Sequence, residues 1–318
     1  MEILTLKKDT PIDVPTVATI GFFDGVHRGH RFLIQYVQQR AYRKDLPSLV
    51  ITFKQHPRQV VQPHFIPALL STPEEKLAML QETGVDRCIL LDFDEKMAQL
   101  SAHQFMQRVL KRQLGVADLV IGHDNRFGHN RQEGFADYLR YGLSLGMAVT
   151  EAPRFVPYGE TISSSSIRRL LEKGDVSAAH RALGYAYKIG GTVVPGFQEG
   201  RKLGFPTANL VLENPQKLLP RNGVYATRVE IEGLEDSFLG MTNIGHRPTF
   251  GGQTTTIETH ILDFNGLLYD RHLRLSFFYR IRDEEKFDSL RDLQIQLAAD
   301  KRKVRTLFIL NNRTWHER

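Results

Sequence analysis

Apolar and polar positions follow two different rhythms along this chain. In the first half, short apolar runs at 17–20, 49–53, 88–91, 119–121 and 148–150 alternate with helically periodic stretches at 30–43, 74–82, 103–114 and 133–145. The runs read as strands and the periodic stretches as amphipathic helices. Their alternation predicts successive βαβ units on a parallel sheet, where ligands sit beyond the carboxyl ends of the strands.

A short helix at 167–173, a break at Gly174-Asp175 and a second helix up to Leu183 lead to Gly184. Beyond it the pattern becomes short strands punctuated by glycine and proline, at 192–194, 224–230, 237–241, 257–262 and 273–278. That rhythm predicts a small antiparallel barrel or sandwich, and 284–310 reads as a closing helix. The expected domains are therefore 1–184 and 185–318, an α/β unit followed by an antiparallel β unit.

Composition narrows this picture. The 318 residues suffice for two buried cores, with 41% apolar and 25% charged residues. No apolar run reaches the ~18 residues of a membrane span, and the start lacks the features of a secretory signal. A cytoplasmic protein without a membrane partner is expected. The single cysteine, Cys88, lies in an apolar strand run and reads as a buried thiol rather than a nucleophile. The net charge of +6 suits polyphosphate substrates or nucleic acid. The basic residues are dispersed, however, and the densest cluster, 301–305, falls on a helical pattern whose simplest reading is a solvated face. No nucleic-acid partner is expected.

Candidate chemistry begins directly after the first long strand, at Gly21-Phe-Phe-Asp-Gly-Val-His-Arg-Gly-His30. Glycines at a strand-to-helix turn let backbone approach a ligand, and the helix start favours anions. His27 and His30, three apart, fall near one helical face, where two imidazole donors suit a phosphate that gains charge in its transition state. A metal pair is the alternative, but no third ligand stands at a fixed spacing. A second motif, Ile162-Ser-Ser-Ser-Ser-Ile-Arg168, places Ser163, Ser164 and Ser165 where helix caps belong and adds a cation one turn on. Hydroxyls, open N–H groups and Arg168 together fit a clamp for the β- and γ-phosphates of ATP.

These two motifs resemble those of the HxGH nucleotidyltransferases. The likeness extends to the bacterial FMN adenylyltransferase module through 52–57, 122–128 with Arg131 and Gly134, and 162–168. Gln55 stands where that family usually has proline, Asn125 where phenylalanine is common and Ser165 where threonine is common. The resemblance implies a Rossmann-like domain in which the FMN phosphate attacks the α-phosphorus of ATP without a covalent intermediate. It implies that His27 and His30 contact the ATP phosphates, that Gly21, Phe22, Asp24, Gly25 and Gly29 form the phosphate end of the nucleotide site, and that Asp124, Asn125 and Phe127 lie on the flavin side; for Phe127 and His56 alone, packing or turn roles are the alternative.

The second half carries Gly196-Phe-Gln-Glu-Gly-Arg-Lys-Leu-Gly-Phe-Pro-Thr-Ala-Asn209. Gly196, Gly200 and Gly204 flank a basic pair that includes Lys202, a composition able to wrap a phosphate. Thr207 and Asn209, two apart, share a face if the segment is extended, and their oxygens suit Mg²⁺ held with ATP. A plain turn is the alternative for these residues alone. The longer string resembles the PTAN motif of riboflavin kinases, as do 222–225, 241–250, 257–264 and the closing helix. By that resemblance Glu258 is the catalytic base; by itself it reads as a solvent-facing strand carboxylate. His260 shares its face, with no local partner to give it a role.

The two resemblances cover nearly the whole chain in the order of the bifunctional bacterial FAD synthetase family. They imply riboflavin, FMN and ATP as substrates and Mg²⁺ as the metal. Two rivals stand beside this reading. A nucleotidyltransferase for another phosphorylated substrate would lack a use for the PTAN-like string and Glu258. An RNA-binding protein would need basic residues interleaved with aromatics on the barrel, and these are not found.

Overall fold

The computed structural model describes residues 1–6, 14–123, 125–129, 132–159, 161–196, 199–249 and 252–311. The chain divides into two compact units, Met1–Ser164 and Ser165–Arg318.

The first unit is built on six strands: β1 (Glu2–Thr5), β2 (Thr16–Ile20), β3 (Ser48–Phe53), β4 (Arg87–Leu91), β5 (Val116–Ile121) and β6 (Ala148–Glu151). They run in the order β1-β4-β3-β2-β5-β6, and every pairing is parallel. All five residues of β2 are buried, which explains its unbroken apolar run. The helices are α1 (Arg28–Arg43), α2 (Pro57–Val61), α3 (Pro73–Gln81), α4 (Glu95–Ala98), α5 (Ala102–Phe105) and α6 (Phe135–Leu145). Ile34, Val37 and Ala41 of α1 are buried at spacings of three and four, the stripe its periodicity predicts. Strand order reverses at β2, which has β3 on one side and β5 on the other. A crevice at the carboxyl ends of β2 and β5 is the ligand position of such sheets.

In the first unit, β1 and the helix over 103–114 depart from the sequence pattern. β1 is a short edge strand with mostly exposed residues, too weak a signal to read. The helix expected over 103–114 is α5 followed by a π-helix, Met106–Gln113. The N–H of Leu114 donates to the Val109 carbonyl at 3.0 Å, five residues back, and both side chains are buried.

The second unit contains α7 from its second residue onward (Ser164–Glu172), α8 (Val176–Leu183), α9 (Glu199–Lys202) and α10 (Leu290–Asn311). Its six strands are β7 (Tyr187–Val194), β8 (Ala208–Leu212), β9 (Gly223–Ile231), β10 (Ser237–Thr249), β11 (Gly252–Ile261) and β12 (His272–Arg282). They close into an antiparallel barrel in the order β10-β11-β8-β7-β12-β9, with β8 joined to β11 through two residue pairs only. β8 escaped the sequence reading because it begins inside the Pro-Thr-Ala-Asn string, whose residues are those of turns. Gly184 ends α8 with φ 86°, and α8 packs on β7 and β12, its Ser177 hydroxyl donating to the Phe278 carbonyl at 2.7 Å.

Both faces of the barrel wall are used. One buries Tyr225, Thr227, Thr242 and Thr259, whose three threonine hydroxyls form a chain with 2.8 and 2.9 Å spacings. The other carries Val224, Ala226, Met241 and Ile281 against Val304 and Phe308 of α10. Asp300 of α10, 2% exposed, ties that helix down by accepting from Arg282 at 2.8 Å and from Gln296 at 2.9 Å. The helix begins at Leu290 rather than 284. Ser289 accepts the Asp292 N–H at 3.1 Å as a cap, while Glu284 accepts instead from Asn222 and Asn243.

Candidate active sites

The turn after β2 is shaped around Asp24. This carboxylate is 3% exposed and accepts from the backbone N–H groups of Leu70 at 3.0 Å and Ser71 at 3.0 Å. The Gly25 N–H donates to the Ser71 hydroxyl at 2.9 Å. Phe23 (φ 55°) and Val26 (φ 31°) take positive φ, costly for residues with side chains, and Gly25 (φ 76°) takes it freely.

The turn delivers His27 to the N-cap of α1, where its Nδ1 accepts the His30 N–H at 3.3 Å. A ring nitrogen that accepts carries no proton, so the proton of His27 lies on Nε2. The two imidazoles stack with centroids 3.6 Å apart. Burial, with the neighbouring His27, holds His30 well below the ordinary imidazole range, so it is neutral at pH 7. A Cβ at Gly29 would lie 3.2 Å from the His27 ring, so a side chain there would require that ring to shift by a few tenths of an ångström. The second motif meets the first here: the Ser164 hydroxyl donates to the Asp24 carbonyl at 3.1 Å. Ser163 precedes that contact, and Ser165 and Arg168 follow it on α7, Arg168 one turn after Ser164.

Gly21 follows β2, and its N–H donates to the Ile51 carbonyl at 3.0 Å. Phe22 lies edge-on to His56 at 4.6 Å and beneath the Lys76 ammonium at 4.4 Å. Lys76 is buried and donates to the Phe53 carbonyl at 2.8 Å; burial lowers its pKa to about 8, with Asp24 opposing. His56 caps α2, its Nδ1 accepting the Arg58 N–H at 3.1 Å. Cys88 is fully buried on β4, and burial pushes its thiol up to about 11, the inert thiol expected from its apolar run.

Of the three flavin-side candidates, Asp124 lies outside the described residues. The Asn125 side-chain amide donates to the Ile20 carbonyl and so joins the loop after β5 to the end of β2. Phe127 stacks on Tyr138 with centroids 4.3 Å apart, and the Tyr138 hydroxyl donates to its carbonyl at 3.2 Å. Both side chains are engaged in holding the loop.

The second site is set by barrel register. Asn209 of β8 pairs with Glu258 of β11, and Glu258 pairs with Asn243 of β10. Directly paired residues share a face, so the three lie in one row across three strands. Thr207 and Asn209 line a recess with Gly196, Arg201, Pro206 and Tyr269. The Asn209 side chain sits against Gly196, where a Cβ would overlap it. The recess adjoins a cavity of about 420 Å³ that shares Arg201, Pro206, Thr207 and Tyr269 and is floored by Ala208 and Thr259. Gly200 accepts the Phe205 N–H at 2.8 Å, and Gly204 (φ 82°) turns the chain between them; Lys202 is exposed on α9.

Sequence reading missed Arg201, Tyr269 and Asn243. Arg201 was visible as half of the basic pair, whereas Tyr269 is brought to the recess by the loop between β11 and β12. Asn243 becomes visible once the register puts it beside Glu258.

Residues 9–166 match the model of the FAD synthetase family, and residues 183–308 match that of riboflavin kinase. The bifunctional riboflavin kinase/FMN adenylyltransferase of Escherichia coli K12 is 39% identical over 293 residues, 92% of each chain. That of Listeria monocytogenes is 34% identical over 305 residues, 95% of this chain and 96% of its own. A Streptococcus pneumoniae crystal structure, described as a macrolide-efflux protein, superposes with a TM-score of 0.87 at 32% identity, covering 96% of this chain and 99% of its own. Among the described residues no helix is long and apolar enough to cross a membrane. Fold and matches together define a nucleotidyltransferase unit followed by a small-molecule kinase barrel. The chain belongs to the family of bifunctional riboflavin kinase/FMN adenylyltransferases.

The depressed histidine has a consequence for stability. The folded state disfavours a proton on His30 while the unfolded chain accepts one near pH 6.5, so stability is full above that pH and falls below it. Urea unfolding of the first unit should lose up to about 1.4 kcal/mol per pH unit from this group as pH falls below about 6.5. His30→Gln should flatten that slope; equal slopes in both proteins would contradict a neutral, buried His30.

Proposed function

We propose that the two sites act in succession on one flavin, with residues 1–184 as the adenylyltransferase and 185–318 as the kinase. The enzyme phosphorylates riboflavin to FMN with ATP and adenylylates FMN to FAD with release of pyrophosphate. The observation that carries the residue roles is the cross-strand row: Glu258 beside Asn209, and Asn209 in the recess with Thr207 and Arg201.

In the kinase, Glu258 takes the proton of the ribityl 5′-hydroxyl as that oxygen attacks the γ-phosphorus of ATP, and the bond from that phosphorus to the bridging oxygen breaks to release ADP. Gly196, Gly200 and Gly204 let the loop fold closely over the phosphates, with Arg201 and Lys202 supplying charge. Thr207 and Asn209 offer a hydroxyl and an amide oxygen, and among the described residues no group of three His, Cys, Asp or Glu gathers to hold a softer metal. That donor set fits Mg²⁺: Thr207 and Asn209 would hold the ion, which would supply neutralisation of phosphate charge.

In the adenylyltransferase, the FMN phosphate attacks the α-phosphorus. His27, with its proton on Nε2, and neutral His30 each donate one hydrogen bond as charge builds on the phosphate. Gly29 leaves room beside His27, and Ser163, Ser164, Ser165 and Arg168 hold the departing pyrophosphate. Gly21, Phe22, Asp24 and Gly25 shape this pocket; Asp24 does so through the amides of Leu70 and Ser71. Asp124, Asn125 and Phe127 belong to the loop facing FMN. The protein works in the cytoplasm, where all three substrates meet, and needs no nucleic acid.

Two variants test the division of roles. Glu258→Gln should cut riboflavin phosphorylation by about 10²–10⁴-fold and leave FMN adenylylation unchanged. His30→Ala should do the reverse, losing about 10²–10³ in adenylylation. Loss of both reactions in either variant would make its residue structural. Residues 185–318 alone should convert riboflavin to FMN and make no FAD. A soluble but inactive fragment would move the boundary toward Ser165.

A further inference from the structure

His260 lies on β11 two residues beyond Glu258 and is 5% exposed. Its nearest polar contact is remote in sequence: Nδ1 stands 2.9 Å from the carbonyl oxygen of Pro206, 54 residues away. Phe205 lies edge-on to the ring at 5.3 Å. A carbonyl only accepts, so the proton is on Nδ1. Burial lowers the imidazole's pKa; Lys301 of α10 adds to the effect, and the Pro206 carbonyl and Asp263 oppose it. The neutral ring leaves Nε2 without a proton, and that nitrogen is buried with no hydrogen-bond partner among the described residues. A buried polar ring with one nitrogen unsatisfied is costly for packing alone, and an apolar side chain would fill the space without that cost.

The register shows what the imidazole replaces. β11 pairs with β8 at Glu258–Asn209 and Thr259–Ala208, and the next pair would be His260 with Thr207. β8 begins at Ala208, so the backbone ladder stops one residue short of Thr207. Pro206 has no N–H with which to extend the ladder. At this point the His260 side chain reaches across and holds the Pro206 carbonyl. The strand that carries Glu258 is thereby tied to the peptide that enters Thr207.

We propose that His260 is a positioning residue for riboflavin phosphorylation: its Nδ1–H holds the Pro206 carbonyl and so sets Thr207 beside Asn209 at the phosphate end of the kinase cavity. The proposal rests on the reading of Thr207 and Asn209 as the Mg²⁺ oxygens. Its effect belongs in the binding of Mg²⁺ with nucleotide rather than in proton transfer.

The test uses the full-length chain and measures ADP binding by calorimetry across a Mg²⁺ titration, alongside kinase and adenylyltransferase assays. Loss of one net hydrogen bond corresponds to roughly a 5–10-fold weakening. His260→Gln, whose amide cannot reach where Nδ1 sits, should weaken Mg²⁺-dependent ADP binding and raise the kinase KM for ATP by about that factor. His260→Asn places an N–H where Nδ1 was and should stay within about 3-fold of the wild type. FMN adenylylation should be unchanged in both. Equal Mg²⁺-dependent binding in His260→Gln and wild type, or no rescue by His260→Asn, would overturn the proposal. If His260→Gln does not fold, nitrogen-15 spectra of histidine-labelled wild type decide. An Nδ1–H tautomer whose signal moves when Mg²⁺ and ADP are added supports the role, and an Nε2–H tautomer or an unmoved signal refutes it. Thr207→Ala and Asn209→Ala separate the two levels of the argument. If neither weakens Mg²⁺-dependent binding, the metal reading fails; if both do and the His260 variants do not, only the role of His260 fails.

Discussion

A carboxylate taken out of water must be paired, and the adenylyltransferase site is organised by the way Asp24 meets that demand. Its oxygens receive the amides of Leu70 and Ser71, which pins the loop before α3 to the turn after β2. Held in this way, the chain takes two positive-φ residues with side chains, Phe23 and Val26, within four positions. Such backbone costs roughly 1–3 kcal/mol per residue and persists only where surrounding contacts determine it. The result is a turn short enough that α1 begins one residue after His27, with His27 capping it and His30 stacked beneath. Ser164 completes the arrangement by donating to the carbonyl of Asp24 itself. Asp24 thus joins the two motifs, its carboxylate holding the turn of one and its backbone carbonyl receiving the serine of the other.

The kinase site follows from a different constraint, the closure of a small barrel. Six antiparallel strands with fixed pairing leave no freedom in register, so Asn209, Glu258 and Asn243 fall in line wherever the chain closes correctly. Alternation then sends Thr259 to the face of the buried threonine chain and Glu258 and His260 to the opposite face. The covering helix α10 is tied to that outer wall by Asp300 and Arg282. Glu258 stands next to the recess because it pairs with Asn209, which lines it. A longer β8 would pair Thr207 into the ladder and engage its backbone where the loop now opens.

Much of this was legible in the sequence because it is written locally. The apolar runs of β2 to β6, the glycine-rich turn with two histidines and the serine-capped helix are signals within ten residues. The parallel sheet and the antiparallel unit follow from them. What was not legible depends on distant partners. The packing partner of Phe127, Tyr138, is eleven residues away, and Asn125 reads as a departure until its amide is seen on the Ile20 carbonyl. β8 is hidden by the turn-forming residues at its start. The start of α10 slips to Leu290 because Glu284 bonds to Asn222 and Asn243, which no helical pattern reveals. His260 has no local partner, and its role emerges only with Pro206 in place.

The central claim is that two chemically distinct attacks on ATP take place on this one chain, at the γ-phosphorus in the kinase barrel and at the α-phosphorus in the Rossmann-like unit. Supplying riboflavin with Mg²⁺ and ATP labelled at either the γ- or the α-phosphorus, and following the label into each flavin, tests it directly. The account predicts that γ-label appears in FMN and is carried into FAD, and that α-label appears in FAD alone. Label from the α-position in FMN, or FMN formed without γ-label, would contradict it.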